Sequence, residues 1–583
     1  MQDDEAARWG IEPGYHDVFG AWHAASPATL AALTAALRAG RGEPAPALPP
    51  AQAFAYQCST QRLWGLAAQL YAVRSERNWG HGDFTDLMAL ITLAAEAGAA
   101  AVGLNPLHAL FPEHAEAASP YSPNSRLFLN PLYIDLEAVP EFPGLAALGL
   151  EQEVAALRDS DMVAYARVAR AKMTALRACH ARFRRGAGPM RRQDFARFRD
   201  AQGADLTAFA AFEVLRARCG HGRWWEWPPQ WRRPDPAMLD RLRAEDPAAF
   251  EFHEYVQWIA ATQLDRCREA AHRHGLPVGL YLDLAVGVDP AGADAWTAQE
   301  DMLAGVTVGA PPDQYNPAGQ NWGLTTFNPH ALAASNGAPL RRMLAVAMRA
   351  AGAIRIDHVL GLMRLFLIPG GAAEGAAAGA YVRYPFESLL AAVAEESARH
   401  RCVVIGEDLG TVPEGFRDTV ARYGLWSYRV MLFEREPDGA FRAPDHYPAN
   451  ALATFNTHDL PTLRGWMSGH DLAVKRAIGV DPGESDAERD AARRALRQAL
   501  ALHAQGGDDL AAVARYLGRS PARLVMVALE DIAGMADQVN VPGTVTAHPN
   551  WRRRLPLTLG EIAATEDFHR VAAAFAQTGR SCR

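Results

Sequence analysis

The sequence predicts an α/β fold, a closed (β/α)8 TIM barrel with helical insertions between its strands, on three observations. Eight apolar runs of strand length recur at long intervals, amphipathic helical stretches separate them, and three of the runs end in carboxylates. Apolar runs without alternation belong to parallel strands buried beneath helices, and eight such strands suit a barrel whose working groups stand at the strands' C-terminal ends.

The elements follow in chain order. A short helical segment opens the chain, and EPAPALPPA from Glu43 to Ala51 follows it. Its prolines stiffen the backbone and interrupt helix, so residues 1–50 read as a helical segment with a linker and residues 51–583 as the barrel. The first strand is expected at Leu66 to Val73. The segment DFTDLMALITLAAEAG supplies its helix, because Asp83 can cap the N-terminus and Gly98 can end it in the left-handed conformation. The remaining strands are expected at Ala100 to Leu104, Val278 to Val286, Ala353 to Asp357, Cys402 to Glu407, Tyr428 to Phe433, Ala451 to Phe455 and Leu524 to Glu530.

The long gap between the second and third runs is helical in pattern and carries HGRWWEWPPQW at His221 to Trp231, which predicts an inserted, mainly helical subdomain over about residues 130–276. A second helical insertion, rich in Ala, Arg and Asp, occupies about residues 470–520. The stretch GGAAEGAAAGA at Gly370 to Ala380 reads as a flexible surface loop.

Composition narrows the function. The 583 residues include 58 basic and 66 acidic side chains, for a formal charge of -8, and no Lys/Arg tract, which argues against a nucleic-acid partner. Six cysteines, Cys58, Cys179, Cys219, Cys267, Cys402 and Cys582, are scattered without zinc or disulfide spacing and read as reduced thiols. The polar start MQDDEAARWG is no secretory signal, and no apolar run is long enough to span a bilayer. A cytoplasmic protein without a membrane partner is expected; the oligomeric state is not set by the sequence.

Three strand ends carry chemistry. In IRIDHVLG, Arg355 and Asp357 are two apart and project to the same side of a strand, where the arginine can hold the aspartate ionised as a nucleophile; a lone Arg-x-Asp is equally a structural ion pair. In VVIGEDLG, Glu407 and Asp408 point in opposite directions, so only one faces a shared pocket. Glu407 is the candidate acid, kept protonated by a neighbouring carboxylate, although the same residues can serve as a helix cap. In ATFNTHDLPT, His458 can donate to sugar hydroxyls and Asp459 can accept from them, while no second histidine stands at metal-ligand spacing. Three strands delivering carboxylates to one rim are what glycoside cleavage requires. A separation of about 5 to 5.5 Å between the two working carboxyls predicts retention and about 6.5 to 9.5 Å inversion.

In this order and spacing, RIDH, IGEDLG and NTHDLPT resemble the catalytic signatures of amylomaltases, the 4-alpha-glucanotransferases of glycoside hydrolase family 77. The resemblance extends through LAAQLYAVRSERNWGHGDF, GLNPLHALFP, ASPYSPNSR, GLYLDLAVGVDP, APPDQYNPAGQNWG and VPGTVTAHPNWRRRL, nearly the whole chain, and GQNWG is the segment that separates amylomaltases from the wider alpha-amylase clan. It is interrupted after GQNWG, where LTTFNPHAL replaces a Pro-rich turn followed by an aromatic and an acidic residue. Longer members carry an additional N-terminal β-rich domain, for which the roughly 60 residues before the barrel are too few beside a linker.

The resemblance implies that Asp357 is the nucleophile, Glu407 the general acid and base, and Asp459 the carboxylate that binds sugar hydroxyls and stabilises the transition state. Arg355, His358 and His458 would support them, Tyr121 would stack or bond near the donor sugar, Gln320 and Trp322 would sit on a loop over the acceptor cleft, and Asp283 would face the site or make a structural bond. The implied substrates are maltooligosaccharides and other alpha-1,4-glucans, with glucose as an acceptor and no cofactor or metal. Two other readings stay open at this point: a hydrolase of the alpha-amylase clan, and a glucan-binding protein that has lost catalysis.

Overall fold

In the computed structural model eight strands close a parallel barrel: β1 (Leu63–Ala68), β2 (Ala101–Leu104), β3 (Gly279–Leu284), β4 (Ala353–Ile356), β5 (Val403–Gly406), β6 (Trp426–Val430), β7 (Ala451–Thr454) and β8 (Leu524–Ala528). Neighbours in sequence are neighbours in the sheet, and β8 returns to β1 with Val527 opposite Leu66. The structure describes the whole chain except residues 1, 18–19, 40, 42, 47–51, 115–116, 313–318, 372–374, 505, 508 and 583. Much of the expected linker, at 47–51, therefore lies outside the described residues.

Each expected run overlaps one barrel strand, with two displaced. β1 starts at Leu63, because Leu70–Ala72 leaves the sheet as a 3-10 turn, and β6 starts at Trp426, with Met431–Phe433 turning away at its end. The barrel interior is filled rather than hollow. Tyr281, Tyr428, Leu452 and Met526 are buried there, and Gly103 makes room for them, since a Cβ at that position would stand 2.9 Å from the Tyr281 ring.

The helix after β1 runs Phe84–Glu96 and is capped as its sequence requires. Asp83 accepts from the backbone of Thr85 and Asp86, Asp86 reaches back to the Asp83 amide, and Gly98 follows at φ +77°. Between β2 and β3 the chain forms the long helices Tyr165–Gly186, Pro189–Arg218 and Pro247–Arg273. The tryptophan-rich segment lies between them as two 3-10 turns, and its Trp227 packs with Phe212 and Trp296 in a small core of its own. Helices Leu463–Ser468, His470–Ala477, Asp486–Ala504 and Leu510–Arg519 separate β7 from β8.

The largest sheet outside the barrel was not foreseen. Ala380–Arg383, Arg364–Pro369, Val306–Ala310 and Gln320–Leu324 pair antiparallel in that order beside the barrel mouth. Its outer strand alternates half-buried and exposed residues, QNWGL, and so lacks the continuous apolar signal of the barrel strands. The opposite edge is covered by the N-terminal segment, where Glu12 donates to Tyr381 and Arg383 to Gly10. The first described residues accordingly hold a hairpin, Gly14–His16 with Trp22–Ala24, beside the helices Gln2–Arg8 and Pro27–Arg38. Part of the expected Ala-rich loop is also ordered against this sheet: Gly375–Ala378 is a 3-10 turn with Ala376 buried beside Phe366, while 372–374 lie outside the described residues. Among the described residues no helix is long and apolar enough to cross a membrane.

Candidate active site

The barrel's C-terminal rim gathers its polar residues around Arg355. This side chain, buried at the end of β4, contacts both oxygens of Asp283 on β3 at 2.9 Å, Asp357 Oδ1 at 2.8 Å and Glu407 Oε2 at 3.7 Å. Its place in the register explains the first contact, since Arg355 and Asp283 are direct partners across the β3–β4 ladder. Because one nitrogen, Nη2, reaches both Asp357 and Glu407, the two oxygens it touches are at most about 6.5 Å apart, the sum of those distances.

The turn after β4 is built to hold Glu407. His358 takes the left-handed conformation at φ 47°, which costs a non-glycine residue about 1 kcal/mol or more and is the kind of strain that collects at working sites. In return its N–H donates to Glu407 Oε2 at 2.9 Å, and the Leu409 N–H donates to Oε1 at 2.8 Å, so each carboxyl oxygen has one fixed backbone partner. Gly406 lets the turn approach β5 this closely, because a Cβ there would meet Val359 at 2.9 Å. Asp408 points the other way, accepting from the Tyr428 amide at 3.0 Å and pairing with Arg417 at 2.6 Å. The neighbouring acids thus point apart, Glu407 to the Arg355 cluster and Asp408 to the scaffold, as strand alternation requires.

Burial pushes Glu407 up to about 7, with the Asp357 charge adding to the shift and Arg355 and the two amides opposing it. Burial likewise raises Asp283. Burial works against charge on Arg355 too, but Asp283 and Asp357 outweigh it and hold the guanidinium firmly protonated. Three carboxyls around one cation leave the rim negative, an environment that favours developing positive charge on a sugar ring.

On the β7 side, Tyr121 donates to Asp283 Oδ2 at 2.6 Å and lies 3.3 Å from His458 Nδ1. The tyrosine's one proton is committed to the carboxylate, so Nδ1 must donate to the tyrosine oxygen. Nε2 faces Asp459 Oδ2 at 3.3 Å. The pKa of His458 is raised, burial being outweighed by the Asp459 charge and hydrogen bond. Burial would raise Asp459 as well, but the His458 charge and hydrogen bonds from His458 and Asn540 hold it below the usual carboxylate range. Asn540 Nδ2 donates to Asp459 Oδ1 at 2.6 Å, and its backbone N–H binds the His458 carbonyl at 3.1 Å.

Gln320 and Trp322 stand on the edge strand Gln320–Leu324, where the Trp322 indole donates to Gln320 at 3.2 Å and its ring meets His358 edge-on at 5.2 Å. The loop expected to carry these two residues over the acceptor cleft is thus a strand where they stand, and 313–318 just before it lie outside the described residues. All ten residues singled out in the sequence are joined by one run of contacts from Gln320 through Trp322, His358, Glu407, Arg355 with Asp357, Asp283, Tyr121 and His458 to Asp459.

Sequence reasoning did not single out Asn540 or Trp551, whose ring packs 5.5 Å from Tyr121 and 5.2 Å from His458. Nor did it single out Phe433, half exposed on the turn that ends β6. The first two flank or fall within the matched segment VPGTVTAHPNWRRRL, and neither side chain carries a charge to attract notice. Among the described residues no cluster of His, Cys, Asp and Glu has the makings of a metal site.

Comparison with known proteins agrees with this geometry. Residues 68–558 match the family profile described as 4-alpha-glucanotransferase. The chain is 36% identical over 542 residues to a 4-alpha-glucanotransferase of Haemophilus influenzae, covering 87% of this chain and 77% of the relative. It is 38% identical over 525 residues to one of Mycobacterium bovis, covering 85% and 71%. The amylomaltase of Corynebacterium glutamicum superposes with a TM-score of 0.85 at 26% identity, over 98% of this chain and 99% of that one. By sequence and by fold, the chain belongs to glycoside hydrolase family 77 and carries the 4-alpha-glucanotransferase activity of that family.

Proposed function

We propose that the enzyme moves alpha-1,4-glucan segments from a donor maltooligosaccharide to the 4-hydroxyl of glucose or another glucan, with retention, by double displacement in the cytoplasm. Asp357 attacks the anomeric carbon while Glu407 protonates the departing glycosidic oxygen, so the C1–O bond breaks as the C1–Asp357 ester forms. The released sugar leaves with the Glu407 proton. Glu407, now ionised, takes the proton from the acceptor 4-hydroxyl, whose oxygen displaces Asp357 and restores both carboxyls. Arg355 holds Asp357 and Asp283 in place throughout, and Asp459 with His458 binds ring hydroxyls whose hydrogen bonds strengthen as the ring becomes cationic.

The observation that carries the reading is the single Arg355 nitrogen shared by Asp357 and Glu407. The limit of about 6.5 Å it sets on those two oxygens supports the closer spacing of a retaining pair over the roughly 6.5 to 9.5 Å in which an inverting enzyme seats its water. Transfer prevails over hydrolysis where the acceptor side holds sugar better than water, and Trp322 against His358 offers apolar surface for sugar faces. Incubation with maltotriose tests this: a ladder of longer oligosaccharides with glucose is expected, and glucose with maltose and nothing longer would refute transfer. Anomeric analysis of early products checks retention in the same experiment.

A further inference from the structure

β6 sends a side chain to the site that the proposed mechanism leaves unused. Tyr428 lies one step beyond the register pair Gly406–Ser427, which sets it beside Glu407 at the top of the barrel. Asp408 accepts from its backbone N–H at 3.0 Å and is itself pinned by Arg417 at 2.6 Å, so the height of the strand is fixed there. The Tyr428 ring lies 5.7 Å from the Arg355 guanidinium carbon, and the Tyr121 ring lies 6.0 Å from the same atom. Burial raises the Tyr428 pKa; Arg355 opposes it, and the charges of Asp283, Glu407 and Asp459 add to it. The hydroxyl therefore keeps its proton at neutral pH and stands within the field of carboxyls from β3, β5 and the turn beyond β7.

The two tyrosines of the barrel interior differ at their tips. The Tyr281 hydroxyl is sealed by protein without a partner. The Tyr428 hydroxyl makes no hydrogen bond among the described residues either, yet it is not sealed, on a side chain that is 9% exposed. This matters for a sugar, which presents oxygens as well as hydroxyl protons, because carboxylates accept the protons and leave the oxygens in need of donors. The other donors around Arg355 are engaged. Arg355 itself binds Asp283, Asp357 and Glu407, Tyr121 donates to Asp283, Asn540 donates to Asp459, and His458 faces Tyr121 and Asp459. Among the described residues of this cluster, the Tyr428 O–H is a side-chain donor with no protein acceptor.

We propose that Tyr428 is a further substrate-binding residue, whose O–H donates to a hydroxyl oxygen of the donor glucosyl unit held among Asp357, Glu407 and Asp459. The inference rests on the reading of those three carboxyls given under the proposed function.

Tyr428→Phe removes the hydroxyl and keeps the ring beside Arg355. With α-maltosyl fluoride as donor and glucose as acceptor, kcat/KM should fall roughly 3- to 10-fold. Tm should stay within about 2 °C of wild type, because no protein contact is lost. Donors deoxygenated at the 2-, 3- or 6-position of the reacting glucose then locate the contact: the ratio of wild type to variant should collapse to within about twofold for one of them and persist for the others. A ratio that persists for all three, no loss with the parent donor, or a larger fall in Tm would each overturn the assignment. Wild-type transfer from maltotriose tests the underlying reading by itself. Absence of the oligosaccharide ladder sinks that reading, whereas an intact ladder with an unimpaired Tyr428→Phe sinks only the role given to Tyr428.

Discussion

The carboxyls at the ends of β4 and β5 and the carboxylate beyond β7 meet the same cleft in different states. Asp357 and Glu407 have side chains 19% and 11% exposed and are fixed through Arg355, two amides and a strained turn. Asp459 lies deep in the rim, yet its side chain is 43% exposed and is held only by His458 and Asn540. The first pair is arranged before substrate arrives, and burial with the Asp357 charge raises the Glu407 pKa. The second is kept ionised and open, as a group that must meet hydroxyls requires. On the proposed mechanism, bond making is concentrated on one side of the cleft and substrate grip on the other.

Substitutions should break this division unequally. The largest loss is expected for Asp357→Asn, roughly 10⁴-fold or more in kcat/KM, because no other group forms the ester. Glu407→Gln should cost roughly 10²- to 10⁴-fold, with the deficit smallest for donors whose leaving group needs no proton. If Asp459→Asn, expected to lose roughly 10²- to 10³-fold, proved as damaging as Asp357→Asn, the division into chemistry and grip would not hold. Asn540→Ala should lose about tenfold, through a less well-oriented Asp459.

The pH dependence sharpens the same contrast. The proposed mechanism has Glu407 enter the reaction protonated, so kcat/KM should decline as pH rises through about 7. Its folded pKa is raised above the ordinary 4.5, so the folded state favours the neutral form. Wild-type stability, measured against Glu407→Gln, should fall between about 4.5 and 7 and stay lower above that. Between about pH 4.5 and 8 the wild type should lose about 1–3 kcal/mol relative to the glutamine variant, read by denaturant unfolding at each pH. Asp459, whose pKa is lowered, has the opposite sign: its contribution is present above the ordinary carboxylate pKa and is lost on acidification. A smaller effect is expected of Trp322→Ala, a shift of a few-fold toward hydrolysis, read as the ratio of glucose to longer oligosaccharides from maltotriose.

How far the sequence could be read follows from the kind of signal each part carries. The barrel strands are buried on both faces and announce themselves as apolar runs, and Asp83 with Gly98 marks a helix by capping chemistry alone. Asp357, Glu407 and Asp459 were visible because each closes such a run. The antiparallel sheet over 306–383 was not visible, since its outer strand is short and half polar. Asn540 escaped because an uncharged side chain reaching across from beyond β8 to Asp459 has no local pattern. The open hydroxyl of Tyr428 is a fact of three-dimensional packing that no spacing in GLWSYRVMLF could reveal.

The covalent step on Asp357 can be examined directly. The enzyme would be quenched during turnover of an activated maltosyl donor whose terminal 4-hydroxyl is removed, so that the donor cannot serve as an acceptor, and its peptides weighed by mass spectrometry. A maltosyl-sized increment on the peptide carrying Asp357, absent from Asp357→Asn, is the result predicted. Steady turnover with no increment, or an increment on a peptide carrying a different carboxylate, would contradict it.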